Sequence, residues 1–460
     1  MLSTRCDRST NHQFHKHLYS ACLGLALLGR ASGAFSADDE PAMAPPDEKS
    51  EAPATTGLAA ASAKLHEWGL TGSLRGAYWS SNRRTDDEKN ILDTSLWLKF
   101  DRKIIQNWGV FVEGYLNSED PFGDHRNTNR VREAYVEGRL SDWDFRLGKQ
   151  IIAWGRADRF NPTDNLTPRD FTLLAPETDE DRFGSIAAKA SWSLNSSMSI
   201  TAAWVPNFQP HVFAFPSQQG VAFSQESTDS RRNWAVKVDQ SGKSIDWSMS
   251  YYDGLDLMPD ISFGGLGSVP GSVVANISHR RVRVIGGDAA SSFGAYRLAV
   301  ELAHTRTEDA NGDNSAIKNP FWFGVLGIER SFEDNLSMIG QFFVRRVDHY
   351  TDPESINDPN PAIKPLAAQN AILNNQYDKQ QYGLTLRVAK KWFNETLEGE
   401  LAGSVLLNRS GYLVRPKLVY AWTDNIKFIA GAEYFAGSDK TSYGRQDKNR
   451  GVFVEARYYF

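Results

Sequence analysis

Charged side chains of both signs are concentrated in one proline-containing segment, residues 156–181. Asn161-Pro162 and Thr167-Pro168 restrict the backbone there. Ordering such a segment costs conformational entropy, which contacts with the rest of the protein would offset. A docked loop is therefore favoured over the alternative, a free external loop in solvent. Its arginines and aspartates could pair across a compact loop, as the side chains of a charge-lined site: Arg156, Asp158, Arg159, Asp164, Arg169 and Asp170.

No residue pattern predicts catalysis, a metal site or a cofactor. The sequence contains no Gly-x-Ser-x-Gly, phosphate loop, dinucleotide fingerprint or Cys-x-x-Cys-His, and its histidines lack ligand spacing. Residues 309–314 alternate oxygen ligands as calcium loops do, but the glycine is misplaced and Pro320 occupies the twelfth position. A turn-rich loop is therefore expected there, and the protein is predicted not to be an enzyme.

The composition excludes helical membrane spans but is compatible with membrane-spanning strands. No run of 18 apolar residues exists, and the mean hydropathy is −0.46. Strand spans are short and only half apolar, so they escape such a test. Aromatic residues make up 12% of the 460 residues, and the net charge of −5 is too small to imply a nucleic-acid partner.

The amino-terminal region reads as a targeting segment followed by a lead-in. Basic residues precede a short apolar run, Leu18 to Leu28, and small residues follow it, so residues 1–34 are predicted to be a secretory signal peptide. Cys6 and Cys22 would be removed with it; lipidation at Cys22 is a weaker alternative. Residues 35–67 are expected to be a disordered or partly helical periplasmic lead-in, with a linker favoured over a plug.

From Trp68 onward apolar residues recur at every second position. Two examples are Leu92, Leu96, Leu98 and Phe100, and Tyr296, Leu298, Val300 and Leu302, each set alternating with largely polar or charged residues. Segments of about 10 residues with this period match tilted strands that cross a bilayer, whereas strands of soluble sandwiches are shorter.

The connections between these segments are alternately short and long. Short polar turns alternate with long loops at 156–181, 208–231, 254–277 and 348–375. Short turns on one side and long loops on the other are typical of a membrane barrel. Residues 68–460 are therefore predicted to form an all-β, transmembrane, antiparallel up-and-down β-barrel of about 18 strands, with roughly 16–18 plausible.

A barrel of this width leaves an aqueous channel, so function is sought on its inner face. The alternation assigns acidic Glu113, Glu133 and Glu137 to the inner face, together with eight basic residues. A selective basic wall and a merely solvated wall remain equally open. The basic residues are Arg281, Arg283, Arg297, Arg345, Arg387, Arg415, Lys417 and Lys427.

The final strand resembles the last strand of Gram-negative outer-membrane β-barrels. Its apolar alternation includes Tyr458 and ends on Phe460, which in that family is read by the barrel-assembly machinery. The segment with Gly148-Lys149-Gln150, Trp154-Gly155 and Asn161-Pro162-Thr163-Asp164 resembles a poorly characterised group of proteobacterial porin-like proteins. In the general porins the loop between strands five and six narrows the pore, which implies that 156–181 forms the constriction.

These resemblances imply an outer-membrane porin for passive diffusion of small hydrophilic, including anionic, solutes. Contacts with outer-membrane lipid and lipopolysaccharide follow, and a homotrimer is one option. The alternative is an export barrel for an acidic polysaccharide, for which a basic lumen would be apt. An outer-membrane enzyme, a sheath around an electron-transfer protein and a transporter of hydrophobic solutes are less well supported.

Overall fold

Eighteen strands form one antiparallel sheet in the computed structural model, which describes residues 57–81, 89–120, 126–158, 160–177, 179–213, 220–227, 232–242 and 244–460. The strands are β1 Leu70–Ser81, β2 Asn90–Ile105, β3 Trp108–Glu119, β4 Arg130–Leu140, β5 Trp143–Gln150, β6 Ser185–Ser193, β7 Met198–Asn207, β8 Asn233–Gln240, β9 Asp246–Leu255, β10 Arg281–Phe293, β11 Tyr296–Arg306, β12 Phe321–Ser331, β13 Leu336–Val347, β14 Gln380–Trp392, β15 Leu397–Leu406, β16 Gly411–Ala421, β17 Ile426–Gly437 and β18 Gly451–Tyr459.

The sheet closes on itself. Each strand pairs antiparallel with the next, and β18 pairs with β1 in a register that sets Arg457 opposite Arg75. Beyond β18, the N–H of Phe460 donates to the carbonyl of Gly72 at 3.0 Å, and Phe460 accepts from the N–H of Gly72 at 2.9 Å. Closure leaves no open edge, so the backbone groups are satisfied within the sheet. The predicted all-β, up-and-down barrel of about 18 strands is confirmed.

The period of two separates an apolar outer face from a mixed inner face. On β11 the outward Leu298, Val300 and Leu302 are exposed, while the inward Ala299 and Glu301 are buried. The same division holds in the last strand, where Val452 and Val454 are exposed and Glu455 and Arg457 are buried. Exposed aliphatic side chains suit a lipid-facing surface, and inward charges meet water or other charges.

The two ends of the barrel differ in their connections. Short turns such as 141–142 and 422–425 lie at the end where β1 begins and β18 finishes. The longest connections lie at the other end, at 151–184, 208–232, 256–280 and 348–379. The asymmetry predicted from sequence is therefore present.

The long connections carry structure of their own. A three-stranded sheet comprises Val221–Gln225, Asp260–Leu266 and Val273–Ser278, and it packs with helix α2, Ile363–Leu373, around Ile261, Val273 and Leu366. Smaller elements are the 3₁₀ turn Pro353–Ser355, the short helix Ser442–Arg445 and the strand Arg126–Asn127, which pairs with β3. These elements form a cap over that end of the barrel.

One helix, α1 Gly57–Glu67, precedes β1, where the sequence allowed a short helix. The predicted signal peptide 1–34 and the lead-in residues 35–56 lie outside the described residues. Within the described part of the chain, no helix combines the length and apolar character that a membrane crossing requires.

Candidate functional site

The connection between β5 and β6, residues 151–184, contacts the inner face of the barrel on every side. Phe160 packs against Phe343 of β13, with ring centroids 4.7 Å apart, while Leu173 lies in a buried cluster with Trp97 of β2 and Tyr115 of β3. Further contacts, described below, reach β1, β4, β8, β10, β11, β16 and β18. The connection, here called the inner loop, therefore crosses the interior of the barrel.

One wall carboxylate, Glu301 on β11, holds the first limb of the inner loop, the part that carries Arg156, Ala157 and Thr163. Its Oε1 accepts from the backbone N–H and the hydroxyl of Thr163, both at 2.8 Å. Its Oε2 accepts from the backbone N–H groups of Arg156 and Ala157 at 3.2 and 3.3 Å. Glu301 is 1% exposed, so these four donors take the place of water around a buried carboxylate.

Gly155 permits the close approach of the Glu301 carboxylate to the backbone of the inner loop. Its φ is +102°, and a Cβ there would lie 2.6 Å from Glu301 Oε2 and 2.7 Å from Asn161 Nδ2. A side chain would therefore strain the backbone and displace the carboxylate. Asn161 in turn donates from Nδ2 to the carbonyl of Ala157 at 2.9 Å, which closes the turn that carries Thr163. The preceding Trp154 is buried against the wall.

Gly148 and Gln150, which precede the inner loop, fix the direction in which the chain leaves the sheet. Gly148 has φ +128°, and a Cβ there would lie 2.4 Å from the carbonyl of Ala134 on β4. Gln150 is 1% exposed and donates from Nε2 to the carbonyl of Ala187 on β6 at 2.9 Å. The Gly-Lys-Gln, Trp-Gly and Asn-Pro-Thr-Asp pattern thus encodes the docking of the inner loop.

Arg156 pairs with the wall and not with the loop aspartates. Its Nη2 lies 2.8 Å from Asp239 Oδ1 on β8, and its Nη1 pairs with Asp288 on β10. Asp288 also accepts from Ser248 Oγ on β9. Burial opposes ionisation of the Arg156 guanidinium, but the two carboxylates outweigh it and raise the pKa of Arg156. The guanidinium therefore links the loop to the wall as a permanent cation.

Cations of the opposite wall hold the second limb of the inner loop, the part that carries Pro176, Glu177 and Glu180. Glu180 lies 2.6 Å from Arg75 Nη1 on β1 and 3.1 Å from Arg457 Nη1 on β18. Since β1 and β18 meet where the barrel closes, Glu180 fixes the loop to that seam. Arg415 on β16 donates from Nη2 to the carbonyl of Pro176 at 2.8 Å.

Lys417 of β16 adds an ion pair to the same limb. Its Nζ lies 2.8 Å from Glu177 Oε2. Burial on its own would raise the pKa of Glu177, but the adjacent ammonium outweighs it and lowers that pKa. Glu177 is therefore ionised at neutral pH and remains paired with the wall.

A third set of contacts comes from β4. Its pairing with β3 is irregular at Glu113, and Glu133 accepts from the backbone N–H of Ile151 at 2.7 Å. Arg132 donates to the carbonyls of Arg182 and Asp179, each at 2.9 Å, and pairs with Glu113.

The aspartates predicted to pair within the loop have different partners: Asp170 pairs with the wall and Asp164 lies beside Arg182 of the loop. Asp170 lies 2.6 Å from Arg130 Nη2 of β4, and Arg169 lies 2.9 Å from Asp181. Asp164 is 3.9 Å from Arg182, and burial raises its pKa. The expectation that Arg156 and Arg169 pair with Asp164 and Asp170 is therefore wrong, because wall residues and the end of the loop supply nearer partners. Arg159 lies outside the described residues, and Asp158 lies near Arg387 of β14.

Six of the eight predicted wall cations face inward. Arg387 lies 2.8 Å from Glu400, Arg415 lies 3.2 Å from Glu433, and Arg297 lies 3.6 Å from Glu329. Four of the six are therefore paired, counting Lys417, and the other two are Arg345 and Lys427. The inward acids Glu113 and Glu133 contact Arg132 and Ile151 as described, and Glu137 lies 2.8 Å from Arg146.

The assignment of Arg281 and Arg283 to the inner face is wrong. They share the outer face with Ile285, which is 56% exposed, while Val282 and Val284 are buried. Both arginines pair with Asp253 at the loop end of the barrel, Arg281 at 2.7 Å and Arg283 at 3.3 Å. Charge is tolerated on the outer face there because the apolar band gives way to polar surroundings.

The strongest anchors of the inner loop were not identified from the sequence. Glu301, Asp288, Arg132, Arg75 and Glu180 each join residues far apart in the chain. One signal was present for Glu301, since it is a lone carboxylate between the small inward residues Ala299 and Ala303. A charged residue in a row of small, inward-facing residues indicates a partner that reaches it from the lumen.

A cavity of about 220 Å³ lies between the inner loop and the cap. Phe160 and Arg169 of the loop line it, as do Phe323 and Arg345 of the wall and Asn374, which follows α2. This space, here called the chamber, combines aromatic and charged surfaces.

The segment from Asp309 is a turn. The carboxylate of Asp309 accepts from the backbone N–H groups of Gly312, Asp313 and Asn314 at 3.1, 3.1 and 2.9 Å. Its oxygens are therefore occupied by the backbone. Within the described ranges, no group of three or more His, Cys, Asp or Glu side chains is arranged to hold a metal ion.

Solved structures with similar folds are outer-membrane-type barrels at low sequence identity. OccK5 (OpdH) of Pseudomonas aeruginosa aligns over 85% of this chain and 97% of its own, with 10% identity and a TM-score of 0.50. OmpF of Salmonella typhi, in complex with daunomycin, aligns over 85% and 97% with 12% identity and a TM-score of 0.42. A variant of the Rh. blastica porin aligns over 85% and 99% with 11% identity and a TM-score of 0.39. The likeness to OccK5 supports the barrel fold.

No protein with a curated description matches this sequence. A family model described as "Protein of unknown function (DUF1302)" matches residues 53–458, from before β1 to the penultimate residue of β18. The chain therefore belongs to the DUF1302 family.

Proposed function

We propose that this protein is an outer-membrane channel for passive diffusion of small hydrophilic solutes, with residues 156–181 as its constriction. The observation that carries the proposal is the inner loop, which is tied to at least ten of the eighteen strands inside a barrel wide enough to hold water. A loop anchored from all sides narrows the lumen at a fixed place, because its position does not depend on a single contact.

The distribution of charge supports a channel with only a modest preference for anions. Arg387, Arg415 and Lys417 each lie beside a carboxylate, so their fields are largely cancelled at a distance. Arg345 and Lys427 are inward cations with no carboxylate within ion-pair distance among the described residues. A small surplus of this kind biases permeation without excluding cations.

The proposal places the protein in the Gram-negative outer membrane as a multi-pass barrel that needs no cofactor and carries no enzymatic activity. Outer-membrane lipid and lipopolysaccharide would surround its apolar face, and the barrel-assembly machinery would recognise Phe460 and Tyr458. A homotrimer remains an option, with contacts on the same outer face. Export of an acidic polysaccharide draws no support from the inner loop, which would have to leave the lumen before a polymer could pass.

Reconstitution in planar lipid bilayers tests the proposal. The purified protein should show single-channel conductance, and replacing residues 157–180 by a short glycine-serine linker should raise it. A matched control removes the exposed cap tip 267–271, where Val269 is 67% exposed, and should leave conductance unchanged. Absence of any conductance would refute the channel, and equal conductance after removal of the inner loop would refute the constriction.

Reversal potentials in a salt gradient test the charge argument. We expect a weak anion preference that Arg345→Gln reduces. Strong cation selectivity in the wild type would contradict the proposed balance of charges.

A further inference from the structure

The chamber is lined by aromatic rings, by charged side chains of both signs and by amides, and its carboxylates are Asp164 and Asp256. The rings of Phe160 and Phe171 face it from the inner loop, and those of Phe321 and Phe323 from β12. Lys318, Arg169 and Arg345 supply its cations. A concave space that combines apolar rings with converging polar and charged groups is a usual form of a small-molecule site.

Two of the three cations are already neutralised. Lys318 Nζ lies 2.9 Å from Asp256 Oδ2, and Arg169 Nη1 lies 2.9 Å from Asp181 Oδ1. His211, which also lines the chamber, accepts through Nδ1 from the N–H of Arg169 at 2.9 Å. Burial, reinforced by the charge of Arg169, holds the pKa of His211 well below its usual value, so this ring is neutral.

Arg345 is different. Its guanidinium carbon lies 4.6 Å from the ring centre of Phe321 and 4.7 Å from that of Phe323, and Nη1 donates to the carbonyl of Asn374 at 2.7 Å. Across the described ranges of the chain, no carboxylate lies within ion-pair distance of it. A guanidinium has five N–H donors, and the contact with Asn374 uses one.

The surroundings hold Arg345 in place. The two ring faces attract the cation, and the carbonyl that follows α2 fixes one edge of the guanidinium plane. A role limited to joining α2 to the wall accounts for the contact with Asn374. It does not require a cation beside an open space lined by rings.

We propose that the chamber binds a compact organic anion that carries an apolar ring, with its carboxylate on Arg345 and its ring against the phenylalanines. Planar guanidinium groups bind carboxylates through paired hydrogen bonds, and a site of about 220 Å³ suits a single-ring solute better than a long chain. The inference rests on the proposed channel function in one respect only, namely that solutes reach the chamber through the barrel.

Equilibrium binding to the purified, detergent-solubilised protein tests the proposal with three probes. Benzoate carries both the ring and the charge, benzamide carries the ring alone, and acetate carries the charge alone. The wild type should bind benzoate about tenfold or more tightly than either of the others. Arg345→Gln should weaken benzoate binding by about tenfold or more. Arg346→Gln is the matched control, because the next residue of β13 faces outward.

Each result decides the matter. Equal binding of benzoate and benzamide to the wild type would overturn the proposal, and that comparison needs no variant that could misfold. Unchanged benzoate binding in folded Arg345→Gln would also overturn it, as would an equal loss in Arg346→Gln. The channel is judged separately: a protein that binds benzoate but shows no conductance refutes the proposed function alone, and one that conducts without preferring benzoate refutes this inference alone.

Discussion

Removing the carboxylate of Glu301 should release the first limb of the inner loop. Glu301→Ala deprives the backbone N–H groups of Arg156, Ala157 and Thr163 of their acceptor. The two contacts at 2.8 Å are the strongest of the four. Leaving a buried donor without its acceptor costs about 1–3 kcal/mol, so losing these two contacts costs about 2–6 kcal/mol. A loss of this size raises the undocked fraction of the limb roughly 30-fold or more.

Single-channel recording in planar bilayers should detect the release as increased conductance. Glu301→Gln should fall between wild type and Glu301→Ala, because an amide oxygen can still accept from Thr163 whereas its NH₂ group faces two N–H donors. Protease cleavage within the inner loop of the folded barrel gives a second readout that does not depend on conductance. Glu329→Ala is the control, since Glu329 is an inward carboxylate that pairs with Arg297.

Heat-modified mobility in gels establishes that the variants form barrels. The reasoning is refuted if folded Glu301→Ala keeps both the conductance and the protease resistance of the wild type. It is also refuted if Glu329→Ala increases both as much as Glu301→Ala does, because the effect would then follow the loss of any inward carboxylate.

Three further predictions concern the loop, the cap and the seam. Gly155→Ala should mimic Glu301→Ala in bilayer recordings, because its Cβ would lie 2.6 Å from that carboxylate; normal conductance would contradict the docking model. Burial raises the pKa of Asp260 from 3.8 to about 6, so its contribution to stability is present below pH 3.8 and is lost as the pH rises through about 6. This loss amounts to up to about 3 kcal/mol in the free energy of unfolding, and Asp260→Asn should remove it. Thermal unfolding at pH 4 and pH 7.5 measures the effect, and a difference in stability between the two pH values equal to that of the wild type would contradict it. Deleting Phe460 removes both seam hydrogen bonds to Gly72 and should lower the amount of folded barrel in membranes while leaving the conductance of folded molecules unchanged; normal levels with altered conductance would contradict this assignment.

The barrel could be predicted from sequence because its signal is local. Alternation within one strand, as from Tyr296 to Leu302, reports which side chains meet lipid without reference to any other strand. The phase of that alternation is clear where one set is apolar and the other is charged. It is ambiguous at Arg281-Val282-Arg283-Val284, because valine suits either a lipid-facing surface or the packed interior beneath the cap.

The position of the site could be predicted from the sequence, but the contacts between its residues could not. The prolines and charges of 156–181 indicated a docked loop, yet the partners of Arg156 lie on β8 and β10. The choice between a partner two residues away and one more than eighty residues away depends on how the loop enters the lumen. Gly148 and Gly155 set that direction through positive φ angles, which the sequence shows only as two glycines.

The pairing of inward charges changes what a basic pore wall means. A wall arginine contributes to selectivity only if its field reaches a passing solute, and a carboxylate within 4 Å removes most of that field. In this barrel Arg387 and Arg415 are paired across strands, while Arg75 and Arg457 hold Glu180 of the loop. Their charge therefore maintains the shape of the lumen. Among the inward arginines of the described strands, Arg345 is held by rings and one carbonyl and has no carboxylate within ion-pair distance, which is why its substitution should change the reversal potential more than substitution of Arg387.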